Sequence, residues 1–188
     1  MIALALLLAA APLPALPSVF GLQLGAPVAL PECRFAVING KTMDIYASVQ
    51  DRMCQYLPST TMPTDGTVYF PPAEMPAVSS FNEIGTRIFD GKLEAIYFDT
   101  SSYASKDRII GQLSEKFGKP DTVYAENTVL HGTPLPSAAA IWRRPGFTVV
   151  YHSIANSVTS GQVRIETDRA IAARDAEAHA DGAKRTAL

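Results

Sequence analysis

The dipeptide Asp90-Gly91 constrains this chain more than any other feature of its sequence. It separates two β-prone runs, Glu83 to Phe89 and Lys92 to Asp99. A two-residue reversal that follows the twist of both strands needs positive φ at both central positions, which Asp and Gly tolerate. The second run sets Leu93, Ala95 and Tyr97 on one face and Ile96 and Phe98 on the other. Apolar residues on both faces predict a central strand, covered on both sides.

Beyond this hairpin the period changes. Ile109, Ile110, Leu113 and Phe117 fall at i, i+1, i+4 and i+8, which is one stripe of a helix spanning Ser105 to Phe117. Ser105 is the expected N-cap, Asp107 suits the positive end of the helix dipole, and Lys116 and Lys119 suit the negative end. Gly118 and Pro120 predict its termination. Thr122 to Glu126, Ala138 to Arg143, Phe147 to His152 and Gln162 to Thr167 then read as strands, with Pro145-Gly146 as a type II reversal. The expected fold class is α+β: an antiparallel sheet with one well-defined helix packed on one face, closed by a single disulfide.

That disulfide comes from the first third of the chain. Cys33 and Cys54 are the only cysteines. They lack the Cys-x-x-Cys spacing of a redox pair and have no further metal ligands at suitable spacing. A structural bridge is expected, contributing about 3 kcal/mol in the chain-entropy model. Downstream, Pro58, Pro63, Pro71, Pro72 and Pro76 punctuate the sequence. They confine the predicted strand Thr67-Val68-Tyr69-Phe70 to a sheet edge or to a polyproline-like run, within a surface connection rather than a docking segment for a proline-recognising partner.

The apolar run Ile2 to Ala11 is shorter than the roughly 20 residues of a membrane-spanning helix and has the length of a signal-peptide core. Pro12, Pro14 and Pro17 end it, and Ala15 is a small residue suited to a cleavage site, although no Lys or Arg precedes the run. The expected organisation is a signal peptide over 1–17, an α+β globular domain over 18–167, and an Ala-rich charged helix and disordered tail over 168–188. No lipid-anchor cysteine follows the apolar run, so no membrane anchor is expected after cleavage. The paired cysteines agree with a periplasmic or secreted location. A net charge of −2 argues against a nucleic-acid partner, while 47 % apolar and 18 % charged residues suit a globular core.

The residues that could carry chemistry are few. His131 lies in a Gly/Pro-rich loop, His152 on a predicted strand and His179 in the tail. No Gly-x-Ser-x-Gly elbow, phosphate-binding loop or Gly-x-Gly-x-x-Gly occurs, and no carboxylate pair calls for an acid/base role. No catalytic residue, cofactor or metal is expected. Trp142, Arg143 and Arg144 flank a predicted turn, and an exposed Trp-Arg-Arg tip would be a partner-binding hot spot, with His131 as a further contact. A lone Trp more often fills a core.

Three groups of residues carry a family resemblance. They are Gly91-Lys92-Leu93-Glu94-Ala95-Ile96, then Leu113 with Lys116-Phe117-Gly118-Lys119-Pro120, and Trp142 with Gly161-Gln162-Val163-Arg164-Ile165. The layout resembles small secreted proteobacterial proteins. It is also similar to outer-membrane assembly lipoproteins of the SmpA/OmlA kind and to β-lactamase-inhibitor-like modules, in which a helix ends in Leu-Gly-x-Pro before a hairpin. Leu24-Gly25-Ala26-Pro27 and Phe117-Gly118-Lys119-Pro120 echo that element. The resemblance implies protein binding rather than catalysis. The expected function is thus a secreted or periplasmic, non-enzymatic protein-binding domain whose partner is another envelope or secreted protein. The alternatives are an inhibitor or immunity protein against an envelope-acting enzyme, and a small envelope hydrolase with a site assembled from distant residues.

Overall fold

A computed structural model describes residues 15–33, 36–38, 41–43, 52–57, 64–101, 103–130 and 132–186. The protein is mostly antiparallel β-sheet, with two α-helices and the Cys33–Cys54 disulfide. The short pairs β1 (Ser18–Val19) with β2 (Leu22–Gln23), and β3 (Ala36–Ile38) with β4 (Lys41–Met43), stand apart from the main sheet. The main sheet comprises β5 (Cys54–Tyr56), β6 (Thr64–Tyr69), β7 (Glu83–Phe89), β8 (Lys92–Ser101), β9 (Thr122–Leu130), β10 (Thr133–Arg144), β11 (Phe147–Ser157) and β12 (Ser160–Thr167). Their spatial order is β5-β6-β7-β8-β12-β11-β10-β9. Helix α1 (Lys106–Phe117) connects β8 to β9, and α2 (Asp168–Thr186) follows β12.

The reversal at Asp90-Gly91 forms as its residues dictate, with φ of 49° and 72°. Strand β8 is central, as its two apolar faces require, but a register shift opposite Arg87 and Ile88 interrupts its alternation. Leu93 joins Ile96 and Phe98 in one core cluster as a result. The N-terminal segment hooks onto this irregular point: Gly25 N–H donates to the Leu93 carbonyl at 2.7 Å, and Leu93 N–H donates to the Ala26 carbonyl at 2.9 Å. Val19, Leu22 and Leu24 are thereby buried.

One expectation about proline is corrected, and one strand is longer than expected. Strand β6 is not at the edge, because β5 pairs outside it through Cys54 opposite Tyr69. Pro71, Pro72 and Pro76 all follow the strand, with Pro72 opening a single 3₁₀ turn, so they remove no ladder hydrogen bond. Strand β10 in turn begins upstream of Ala138 and runs through Pro134 and Pro136. Ala138 N–H donates to Ser153 Oγ at 2.8 Å, so its side of β10 faces β11. Pro134 and Pro136 share that parity, but lie where β10 pairs with β9 alone. Their missing N–H groups cost no pairing.

Register sorts the side chains into an inner and an outer face. The inner face contributes Val68, Ile84, Ile96, Val163, Ile165, Val149 and Tyr151 to the core, where they meet Ile109, Leu113 and Phe117 of α1. Burying each of those three helix residues contributes about 1.5–3 kcal/mol by area, an upper bound. Ser105 precedes α1 but makes no side-chain cap; a 3₁₀ turn, Tyr103–Ser105, leads into the helix instead. Gly161 permits the close approach of β12 to its neighbours, since a Cβ there would lie 2.6 Å from the His152 carbonyl oxygen. Helix α2 buries Ala170 and is otherwise tied down by ion pairs, Arg169 with Asp90, Arg174 with Glu166, and Glu177 with Arg87. Its composition offers little apolar stripe, and charge supplies the attachment.

One core group titrates far from its ordinary range. Tyr151 is fully buried, and burial, opposed in part by the Thr100 hydroxyl beside it, pushes its pKa up to about 12. The folded state therefore holds this proton at a pH where the unfolded chain, with a tyrosine pKa near 10, releases it. The stabilising difference is complete below pH 10 and is lost as the pH climbs from 10 towards 12. Tyr151→Phe should change stability by less than about 1 kcal/mol at pH 7 and should remove on the order of 2 kcal/mol of this alkaline destabilisation, measured by urea unfolding at pH 7, 10 and 11.5.

Candidate functional site

The Trp142-Arg143-Arg144 segment is placed by the period-two alternation of β10. Trp142 and Arg144 point to the inner face, and Arg143 to the outer. Trp142 is fully buried, and its indole Nε1–H donates to the Gly118 carbonyl at 2.8 Å. The reading of Trp142 as an exposed hot spot is therefore corrected: it packs in the core against the end of α1. Arg144 completes that junction. Its Nε–H donates to the Phe117 carbonyl and its Nη2–H to the Lys119 carbonyl, both at 2.8 Å, while Nη1 pairs with Asp121 at 3.2 Å. A guanidinium at the negative end of a helix dipole satisfies carbonyls that the helix leaves open. Arg143 alone of the three has an exposed side chain, with its backbone N–H held by Asp121. His131 lies outside the described residues.

The surface that stands out is the other end of the sheet. Strand β9 is its terminal strand, and among the described residues it pairs with β10 only. Nine residue pairs join β9 to β10, from Thr122–Ile141 to Leu130–Thr133. Pairing of β10 with β11 stops at Ala139–His152. Beyond that point β9 and β10 continue as a two-stranded arm, paired in the ladder with each other alone among the described residues. Its base is fastened by Thr128 Oγ1 to Ser137 Oγ at 2.8 Å and by Ser137 Oγ–H to the Glu126 carbonyl at 3.2 Å. Val123, Tyr124 and Val129 on β9 are exposed to 54 %, 39 % and 67 %. Edge strands are ordinarily shielded by brevity, lysine, proline or a covering element. The opposite edge, β5, has three residues and is stapled through Cys54. Strand β9 has nine residues and contains neither Lys nor Pro.

The outer face of the sheet mixes polar, aromatic and aliphatic residues. One row of facing residues runs Asp99, Gln162, His152, Ala139, Tyr124, and the next runs Gly85, Tyr97, Arg164, Val150, Ile141. His152 Nδ1 lies 3.0 Å from Glu126 Oε1, both side chains being part-buried. This pair ties β11 to β9 across the intervening strand and sits on the broad face of the sheet. Near the start of α2, a cavity of about 460 Å³ lies over β6, β7, β8 and β12, with Arg87, Tyr97, Arg164 and Glu166 in its lining. Burial, followed by the charge of Glu166, pushes the Tyr97 phenol up. Sequence reasoning missed both surfaces. The β9–β10 hairpin falls where the sequence predicts a Gly/Pro-rich loop, and the polar cavity joins residues distant in sequence.

Comparison with known protein families, curated proteins and solved structures found no match.

Removing the lock on α1 should cost stability without disturbing the sheet. Arg144→Ala is expected to destabilise the protein by about 1–2 kcal/mol, measured by denaturant unfolding. Arg144→Lys should recover only part of this, because an ammonium cannot reach two carbonyls and Asp121 with a planar fork.

Proposed function

We propose that this chain is an exported, non-enzymatic protein-binding domain whose β9–β10 arm receives an extended segment of another envelope or secreted protein. The observation that carries this reading is the unshielded nine-residue edge strand with exposed Val123, Tyr124 and Val129. An open edge offers a row of backbone donors and acceptors to an added strand, and alternate side chains supply specificity. The apolar side chains flanking that row give the contact its hydrophobic component. Export is supported by the Cys33–Cys54 disulfide, which suits an oxidising compartment, and by the proline-terminated apolar run Ile2 to Ala11. Among the described residues no helix is long and apolar enough to cross a membrane.

The test is site-specific photocrosslinking in the producing cell. A photoreactive residue at position 123 or 129 should capture one discrete protein, and the same residue at Glu115 on α1 should not. Val129→Lys, which places a charge on the edge, should reduce the crosslink at position 123 by about tenfold. Equal capture at position 115, or a crosslink indifferent to Val129→Lys, would contradict the reading. Two free thiols in the intact mass of the recovered protein would contradict export.

A further inference from the structure

The β9–β10 arm has two unlike faces, and its register sorts them. Facing residues of an antiparallel pair share one side of the sheet. Val123 faces Ala140, Ala125 faces Ala138, Asn127 faces Pro136 and Val129 faces Pro134. These pairs lie on the inner face, because Ala140 stands two residues from the buried Trp142 on β10. Tyr124, Glu126 and Thr128 alternate with them and lie on the outer face. The polar groups there are already matched: Glu126 pairs with His152 at 3.0 Å, and Thr128 Oγ1 lies 2.8 Å from Ser137 Oγ. The inner side of the arm is bare by contrast. Val123, Ala125, Val129, Pro134 and Pro136 are all exposed there, with Asn127 the one polar side chain on that side of β9.

One inner row runs Phe98, Val163, Tyr151, Ala140, Val123 across β8, β12, β11, β10 and β9. Its first four members are at most 3 % exposed, whereas Val123 is 54 % exposed. The apolar row that builds the core thus stops one strand short of cover. The backbone of the edge points the same way. Ala138 N–H turns towards β11, so the odd-numbered residues of β10 bond to β9 and meet its even-numbered ones. The N–H and C=O groups of Val123, Ala125, Asn127 and Val129 therefore point out from the edge. The same four residues carry the outward backbone groups and the inner side chains. An antiparallel strand bonded to them places its own facing side chains on the inner side as well.

Resting on the reading of β9 as a docking edge, we propose that the segment it receives is an antiparallel strand with aliphatic side chains at alternate positions. Those side chains pack on the inner side, against Val123 and Val129, and continue the core row. The antiparallel sense follows the rest of the main sheet, in which every ladder is antiparallel. The register also fixes the order of side chains. A valine facing Val129 comes first, then a polar residue facing Asn127. A larger aliphatic residue faces Ala125, where the small Ala125 and Ala138 leave room, and a second valine faces Val123. The residues between them project to the outer side beside Tyr124, Glu126 and Thr128, and are polar.

The experiment is fluorescence anisotropy of the full chain with the labelled peptide Thr-Val-Thr-Asn-Thr-Leu-Thr-Val-Thr. It should bind saturably, and the same peptide with Thr at both valines and the leucine should bind about tenfold more weakly or worse. Val123→Thr and Val129→Thr, both at exposed positions, should each weaken the first peptide by about fivefold. Tyr124→Thr, on the outer side, should change it by less than about twofold. Methylating the two valine nitrogens of the peptide, which face β9, should abolish binding; methylating the threonine nitrogens between them should be tolerated. The proposal is overturned if the first peptide does not bind or if the threonine peptide matches it. It is equally overturned if Tyr124→Thr costs as much as the valine substitutions, or if the two methylation patterns are equally harmful. Any of these results with the photocrosslinks at positions 123 and 129 intact removes this proposal and leaves the docking edge standing; loss of the crosslinks as well removes both.

Discussion

The pairing of β12 with β8 holds the molecule together. Strands β5 to β8 form one run of antiparallel neighbours and β9 to β12 another, and among the described residues these runs pair only where β12 lies against β8. Seven facing pairs, from Ser160–Ser101 to Glu166–Ala95, make that seam. Val163 and Ile165 enter the core from it, and Gly161 lets the strands close at its far end. Because the seam joins segments some sixty residues apart, its formation bears a loop-closure cost that local hairpins avoid. The α1 connection shortens the search. Trp142 and Arg144 fix the carbonyl end of α1 to β10, and so fix where the second run of strands must lie.

This seam also explains the distribution of surface. Inserting β12 in the middle pushes β9, the first strand of its run, to the outer edge of the sheet. A chain order that ended the sheet on β12 would have left α2 beside the edge to cover it. Instead α2 emerges mid-sheet, where Glu166, Arg87 and Asp90 hold it by charge, and β9 is left bare. The same central position brings Arg164 and Glu166 of β12 beside Tyr97 of β8, which forms the polar cavity. The open edge and the polar cavity are thus two consequences of one strand insertion.

Much of the local structure was legible in the sequence. Asp90-Gly91 gave its hairpin, the i, i+4, i+8 stripe gave α1, Gly118 gave its end, and the pairing of Cys33 with Cys54 followed from there being no other cysteine. What was not legible depended on partners distant in sequence. Pro134 and Pro136 lie upstream of the strand expected from Ala138 to Arg143, yet they belong to β10, where among the described residues it pairs with β9 alone. Trp142 and Arg144 resembled an exposed tip because their roles are set by α1 carbonyls more than twenty residues away. Residues 168–186 lacked an apolar stripe, and the ion pairs that dock them became visible only once β7, β8 and β12 were side by side. The outer-face cavity has no sequence signature, since Arg87, Tyr97 and Arg164 are unremarkable alone.

Native-state hydrogen exchange, resolved by residue, tests the open edge most directly. In the protein alone, amides of β12 facing β8 should be the slowest to exchange, near the limit of global unfolding. Along β9, protection should alternate, with amides bonded to β10 slowed and those between them exchanging at nearly the rate of an unstructured chain. Uniform protection along β9, comparable to that of β12, would mean that the edge is covered, and would contradict this account.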